Sequence, residues 1–157
     1  MKKIIDVSNQ IGDVEIVLHE PDIDVKIVGV FELKHKEQKT LNLRVIHTAP
    51  RITTEVDLCG VVWDDAQLNL SGTLVIEHKA NKTNAQLHEK ILLMSPNAKA
   101  TAIPNLEIKT DDVKCLHTAS ISSIDEHQLF YAMSRGIEKH AAQKLIADGF
   151  LEKMNYY

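Results

Sequence analysis

Aromatic side chains are scarce in this chain. Phe, Tyr and Trp together make up 4% of its 157 residues, with a single tryptophan. Rings this sparse give no platform on which nucleic-acid bases could stack. Nor is there an excess of basic residues: 18 Lys and Arg face 22 Asp and Glu, for a formal net charge of −4. That balance removes the electrostatic case for nucleic acid or an anionic membrane surface. No run approaches the ~18–20 apolar residues needed to cross a bilayer. The start, Met1 to Asp6, carries Lys2 and Lys3, but Asp6, Asn9, Gln10 and Asp13 break any signal-peptide core. These absences together predict a cytoplasmic protein with no nucleic-acid and no membrane partner.

Cysteine is nearly missing as well. In a reducing compartment the two thiols, Cys59 and Cys115, are expected to be free rather than bridged. Gly12, Gly29, Gly60 and Gly72 stand alone, so no phosphate-cradling loop exists and any ATP use belongs to a partner. No set of carboxylates clusters as a groove-lining catalytic pair would, and no enzyme is predicted. Asn-Gly and Asp-Gly, the commonest hairpin dipeptides, do not occur before residue 148, which argues against a simple meander.

What fills the chain instead is period-two alternation. Val14, Ile16 and Leu18 are spaced by two, as are Leu41, Leu43 and Val45. Ile52, Thr54, Val56 and Leu58 follow the rule, and so do Leu68, Leu70, Gly72, Leu74 and Ile76. Many short alternating runs are the mark of half-buried strands. All four prolines and four of the six glycines lie in this part, where strand ends and bends are expected. The pattern allows a sandwich, a barrel or a solenoid. After residue 123 the period changes. Ser123-Ile124-Asp125-Glu126 reads as a capping box, Leu129, Phe130 and Met133 as an apolar helical stripe, and Arg135-Gly136 as a helix stop. A second helix is expected from about Glu138, with Ala141, Leu145 and Ile146 inward, ending near Asp148-Gly149-Phe150. The domain therefore divides into a β body over 1–123 and helices over 124–157.

One segment carries chemistry. In Val113-Lys114-Cys115-Leu116-His117 a thiol and an imidazole stand two apart, on one face of a strand. Cys59, in an apolar strand end, reads as core. The other histidines share no metal-binding spacing, and Asp111-Asp112 reads as a turn. Phe130 and Tyr131 are either core or a docking surface.

The stretch from Pro104 to Gly136, PNLEIKTDDVKCLHTASISSIDEHQLFYAMSRG, resembles the C-terminal part of the SufB/SufD family of iron–sulfur cluster assembly scaffold proteins, and its SufD branch more than its SufB branch. His47-Thr48-Ala49-Pro50, Gly72 to Ile76, Ile91 to Ser95 and Gly149-Phe150 extend the similarity over roughly residues 45–150. The resemblance implies a truncated SufD-like chain forming one SufBD-like domain, mainly β: a right-handed parallel β-helix followed by a C-terminal two-helix appendage. It implies a scaffold or accessory role, with Cys115 and His117 as metal or cluster residues for a transient iron–sulfur cluster. It further implies a homodimer through the strands near Val113–His117, docking of a SufC-like ATPase on Glu126, Phe130, Tyr131, Arg135 and Phe150, and a longer SufB/SufD-type chain as a further partner. SufD-like chains carry glycine where this chain has Thr118, and the SufB-type cysteine and glutamate have no clear counterpart. Thr118 and the short N-terminal region favour the alternative, a structural β-solenoid interaction protein that has lost cluster chemistry.

Overall fold

The computed structural model describes residues 2–152. Nine strands come first: β1 (Lys2–Asp6), β2 (Gly12–Leu18), β3 (Asp24–Leu33), β4 (Gln38–His47), β5 (Thr53–Val62), β6 (Gln67–Ile76), β7 (Thr83–Leu93), β8 (Lys99–Ile108) and β9 (Val113–Ser123). Two helices follow, α1 (Glu126–Ser134) and α2 (Lys139–Glu152). Odd strands form one sheet in the order β1-β3-β5-β7-β9, and even strands form the other, β2-β4-β6-β8. Every pairing is parallel. Each turn thus lays one strand on each sheet and returns to stack on itself. This is the expected parallel β-solenoid, of about four turns.

The alternating residues face the lumen between the sheets. Leu41, Leu43 and Val45 on β4 are each no more than 1% exposed. Because the ladder is in register, like stacks on like: Ile27 pairs with Val56 and Val56 with Leu87, and Leu41 pairs with Leu70. No sequence repeat is needed for this, since each turn has only to supply its own inward apolar row.

Two expectations about punctuation are corrected. Gly29, Gly60 and Gly72 lie inside strands, at lumen positions, rather than at ends or bends. A Cβ on Gly60 would collide with Leu68 on the facing sheet, so absence of a side chain is what lets the sheets approach there. Pro104 also lies within a strand, β8, but β8 is the edge of its sheet, where a missing N–H is tolerated.

The helices are where local signals misled most. Ser123 is still part of β9, because the ladder runs one residue past it: the Ile124 N–H donates to Leu93 O. The cap is Asp125, whose carboxylate accepts from the backbone N–H groups of His127 and Gln128. The Ser123–Glu126 capping box does not form. Gly136 takes the left-handed conformation (φ 89°) that closes α1, as expected. In α1 only Leu129 is buried, while Phe130 and Met133 of the same stripe stay exposed. In α2 the inward residues are Ala142 and Ala147, with Ile146 half-buried, whereas Ala141 and Leu145 face outward. The helix continues through Gly149 to Glu152. The cause is the docking partner. Val61, Trp63, Leu92 and Met94, from the outer face and ends of the odd-strand sheet, form a small patch on which Ala147, Ile146, Phe150 and Leu151 pack. A patch that narrow buries one edge of the helix pair and leaves the rest uncovered.

Candidate functional site

The solenoid is open where β9 ends it. Among the described residues β9 has one ladder partner, β7, and no further turn lies over it. Its residues are consequently exposed almost throughout, although they continue columns that are buried one turn below. Cys115 stacks on Ala85, His117 on Leu87, Ala119 on Glu89 and Ile121 on Ile91. Cys115 and His117 therefore share the inward row, as their spacing predicts. The fold places that row at the mouth of the lumen.

The two side chains differ in environment. Cys115 is half-buried against the core, and burial pushes its thiol above the usual value while a backbone hydrogen bond at Ala85 offsets part of that. His117 is exposed. Among the described residues no group of three His, Cys, Asp or Glu side chains is arranged to hold a metal ion. Thr118 lies on the outer face, where its hydroxyl meets His88 Nδ1 at 2.8 Å across the ladder. Its side chain therefore does not enter the row that carries Cys115 and His117. Cys59 is core, as expected: 1% exposed, its thiol pushed up to about 12 by burial. Such a thiol stays protonated at any physiological pH.

His47 is fully buried between Val75 O (3.0 Å from Nδ1) and Thr54 Oγ1 (2.9 Å from Nε2), and burial lowers its pKa. It is a neutral structural histidine that ties the two sheets together across the lumen. Asp111 and Asp112 sit in the bend before β9, where the Asp112 carbonyl accepts from the Lys82 N–H at 2.6 Å.

The helix pair forms the second candidate surface. Phe130 is 73% exposed, Tyr131 61% and Leu145 59%. Arg135 lies over the Tyr131 ring and donates to its hydroxyl at 3.0 Å, so both are held in place in solvent. Glu126 is exposed in the first turn of α1. Phe150, by contrast, spends much of its surface anchoring α2 to the sheet. Between the helices and the end of β9 lies a cleft of about 500 Å³ lined in part by Leu92, Gln128, Leu145 and Phe150.

One residue escaped sequence reasoning. Glu89 is fully buried in the lumen, and neither carboxylate oxygen has a hydrogen-bond partner. Burial pushes its carboxyl up to about 7, with the Gly72 backbone amide acting in the opposite direction. The signal was present in the alternation itself. Glu89 is in phase with Ala85, Leu87 and Ile91, an acid in an apolar row.

Residues 6–150 match the family model described as SUF system FeS cluster assembly, SufBD core domain. The chain belongs to the SufBD family. It is 36% identical over 130 residues to the iron–sulfur cluster assembly protein SufD of Bacillus subtilis, covering 83% of this chain and 29% of that one. With SufD of Escherichia coli it shares 37% identity over 94 residues, 60% of this chain and 22% of that protein. The similarity to SufB of Bacillus subtilis is lower, 29% over 109 residues, 69% of this chain and 23% of the relative. The chain is thus SufD-like, and it spans less than a third of the length of these curated relatives. No described helix is long and apolar enough to cross a membrane.

Proposed function

We propose that this SufBD chain serves iron–sulfur cluster assembly in the cytosol as a scaffold component, binding and presenting rather than catalysing. The observation that carries the reading is the open terminal turn. An eleven-residue strand with one ladder partner offers a pairing edge, and its inward row brings a partly accessible thiol and an imidazole to the mouth of the lumen. An exposed strand edge is a liability unless paired or covered. A two-fold homodimer through β9 would cover it and bring two thiols and two imidazoles together, donors that suit iron and sulfide. A longer SufB- or SufD-type chain presenting a matching edge would do the same. The helix pair, with Phe130, Tyr131 and Arg135 exposed and Glu126 beside them, is the surface for a SufC-like ATPase, which supplies the nucleotide chemistry this chain lacks.

Anaerobic reconstitution with ferrous iron and sulfide tests the cluster role. The expected result is visible absorbance that Cys115→Ser abolishes and Cys59→Ser leaves intact, because the Cys59 thiol is sealed. Equal loss from both variants would mean nonspecific iron and would end the reading. Co-expression with a SufC-like ATPase should give a complex that Phe130→Ser weakens.

A second reading is favoured by one observation: no three-ligand group exists among the described residues. On that reading the chain keeps the pairing and docking surfaces and has lost cluster chemistry. A complex with the ATPase but no iron uptake, alone or in that complex, would select it.

A further inference from the structure

The turns that join the two sheets stack as the strands do. Residues 34–37 link β3 to β4, and residues 63–66 link β5 to β6. Each turn holds one residue in the left-handed conformation, His35 (φ 59°) and Asp64 (φ 51°). The Asp64 carboxylate accepts from the His35 N–H at 2.8 Å, which fixes one turn on the other. With the first half of α2 these turns bound a cleft of about 340 Å³, within the size range of small-molecule sites.

The lining is rich in donors. Lys34, His35, His140 and Lys144 face two acids, Glu32 and Asp64, and both acids already have partners. Glu32 Oε1 accepts from Trp63 Nε1 at 3.0 Å and lies 3.1 Å from Lys34 Nζ. Asp64 is held by His35. Lys144, exposed on α2, belongs to none of the ion pairs formed among the described residues. The His140 ring lies 6.1 Å from the Trp63 ring, and Lys34 Nζ lies 6.0 Å from it. Unspent donors and the only indole of the chain thus share one cleft. A metal does not suit it, since among the described residues no group of His, Cys, Asp or Glu is arranged to hold one. An oxyanion does, because charge-assisted hydrogen bonds to its oxygens are what free ammonium and imidazole N–H groups can supply.

We infer that this cleft binds a small phosphate monoester with an apolar ester group. Lys144 and His140 are four residues apart on α2 and so share one side of that helix. Together with His35 from the turn they give three donors for three terminal oxygens, where a carboxylate offers only two. The ester group lies against the Trp63 wall. Because the donors come from α2 and from the solenoid turns, an occupied cleft ties the helix pair to the β body more firmly than the apolar patch alone. None of the lining residues belongs to the β9 row or to the Phe130–Tyr131 surface, so the site is independent of the cluster-assembly reading.

Trp63 is the single tryptophan, so its emission reports occupancy directly. The whole chain is titrated with phenyl phosphate, inorganic phosphate and benzoate, at an ionic strength held constant with chloride. The expected result is a saturable change, with phenyl phosphate binding tightest and benzoate weakest. Lys144→Gln should weaken phenyl phosphate about tenfold, the loss of one charge-assisted hydrogen bond. Lys144→Arg keeps the charge and should stay within about threefold of wild type. Lys79→Gln, at an exposed lysine outside the cleft, should bind as wild type does. Saturating phenyl phosphate should also raise the melting temperature of wild type and not that of Lys144→Gln. Far-UV circular dichroism on each variant separates lost binding from a lost helix. No saturable change in emission or melting temperature would overturn the inference. So would benzoate matching phenyl phosphate, or Lys79→Gln losing as much affinity as Lys144→Gln, which is the mark of unspecific charge attraction.

Discussion

β5 and β9 are strands of one sheet with the same parallel register, two turns apart, yet their surroundings are opposite. All but two of the residues of β5 are buried, including positions on its outer face such as Asp57, Cys59 and Val61. Nearly every residue of β9 is exposed, inward row included. The difference follows from neighbours. β5 has β3 and β7 on its two sides and part of α2 against it, while β9 has β7 alone. In β5 the inward row, Thr54, Val56, Leu58, Gly60 and Val62, is committed to packing. In β9 the same row reads Cys115, His117, Ala119, Ile121 and Ser123. A position released from core duty can carry a thiol or an imidazole at little cost to stability. The end of this solenoid therefore has room for such side chains where its middle does not.

The comparison can be broken most directly by truncation. Leu58→Ala removes a fully buried side chain and should cost about 3 kcal/mol or more of unfolding free energy in urea titration. Ile121→Ala, at a site 44% exposed, should cost about 1 kcal/mol. Equal costs would mean that β9 is covered in solution, and light scattering on the same samples would then report a dimer.

Glu89 sharpens the same contrast through pH. Its folded pKa, about 7, lies above the ordinary carboxylate value, so the folded state holds its proton more tightly than the unfolded chain. The associated stability is fully present below about pH 4.5 and is lost as pH rises toward 7, by roughly 3 kcal/mol in all. Glu89→Gln should remove that slope. A wild type and variant with parallel stability–pH curves between pH 4.5 and 7.5 would show that the carboxyl is not sealed.

Smaller effects are expected at the surface. Phe130→Ser should change the unfolding free energy by no more than about 0.5 kcal/mol, because the ring is already in water. A larger loss would place Phe130 in the fold and not in a docking surface. The exposed Asp22–Arg51 pair is bidentate, with Arg51 Nη2 2.7 Å from Asp22 Oδ2, but Arg51→Ala should leave stability unchanged within error.

The period-two rows were legible residue by residue. Leu41, Leu43, Val45, Ile52, Val56 and Leu58 are buried where alternation put them, because a strand alternates faces whatever its fold. Alternation could not say which sheet a strand joins, since a sandwich and a solenoid bury the same pattern. The SufB/SufD resemblance supplied what periodicity lacked. The same resemblance singled out Cys115 and His117, and their shared face followed from spacing alone. Glu89 was in plain view as an acid in an apolar row, but its isolation depends on Gly72 and Pro104, which lie on other strands.

By itself, then, the sequence determined the strands, their inward rows, the switch to helices after residue 123 and the left-handed stop at Gly136. Those are local properties, set by backbone geometry and side-chain period. Tertiary structure alone decided that Ser123 stays in the ladder while Asp125 caps the helix, that Phe130 and Leu145 face solvent, and that β9 ends the solenoid uncovered. Each of these depends on what a distant segment offers. Leu93 holds Ile124 in the sheet, the narrow patch around Trp63 covers only part of the helix pair, and among the described residues no tenth strand lies over β9.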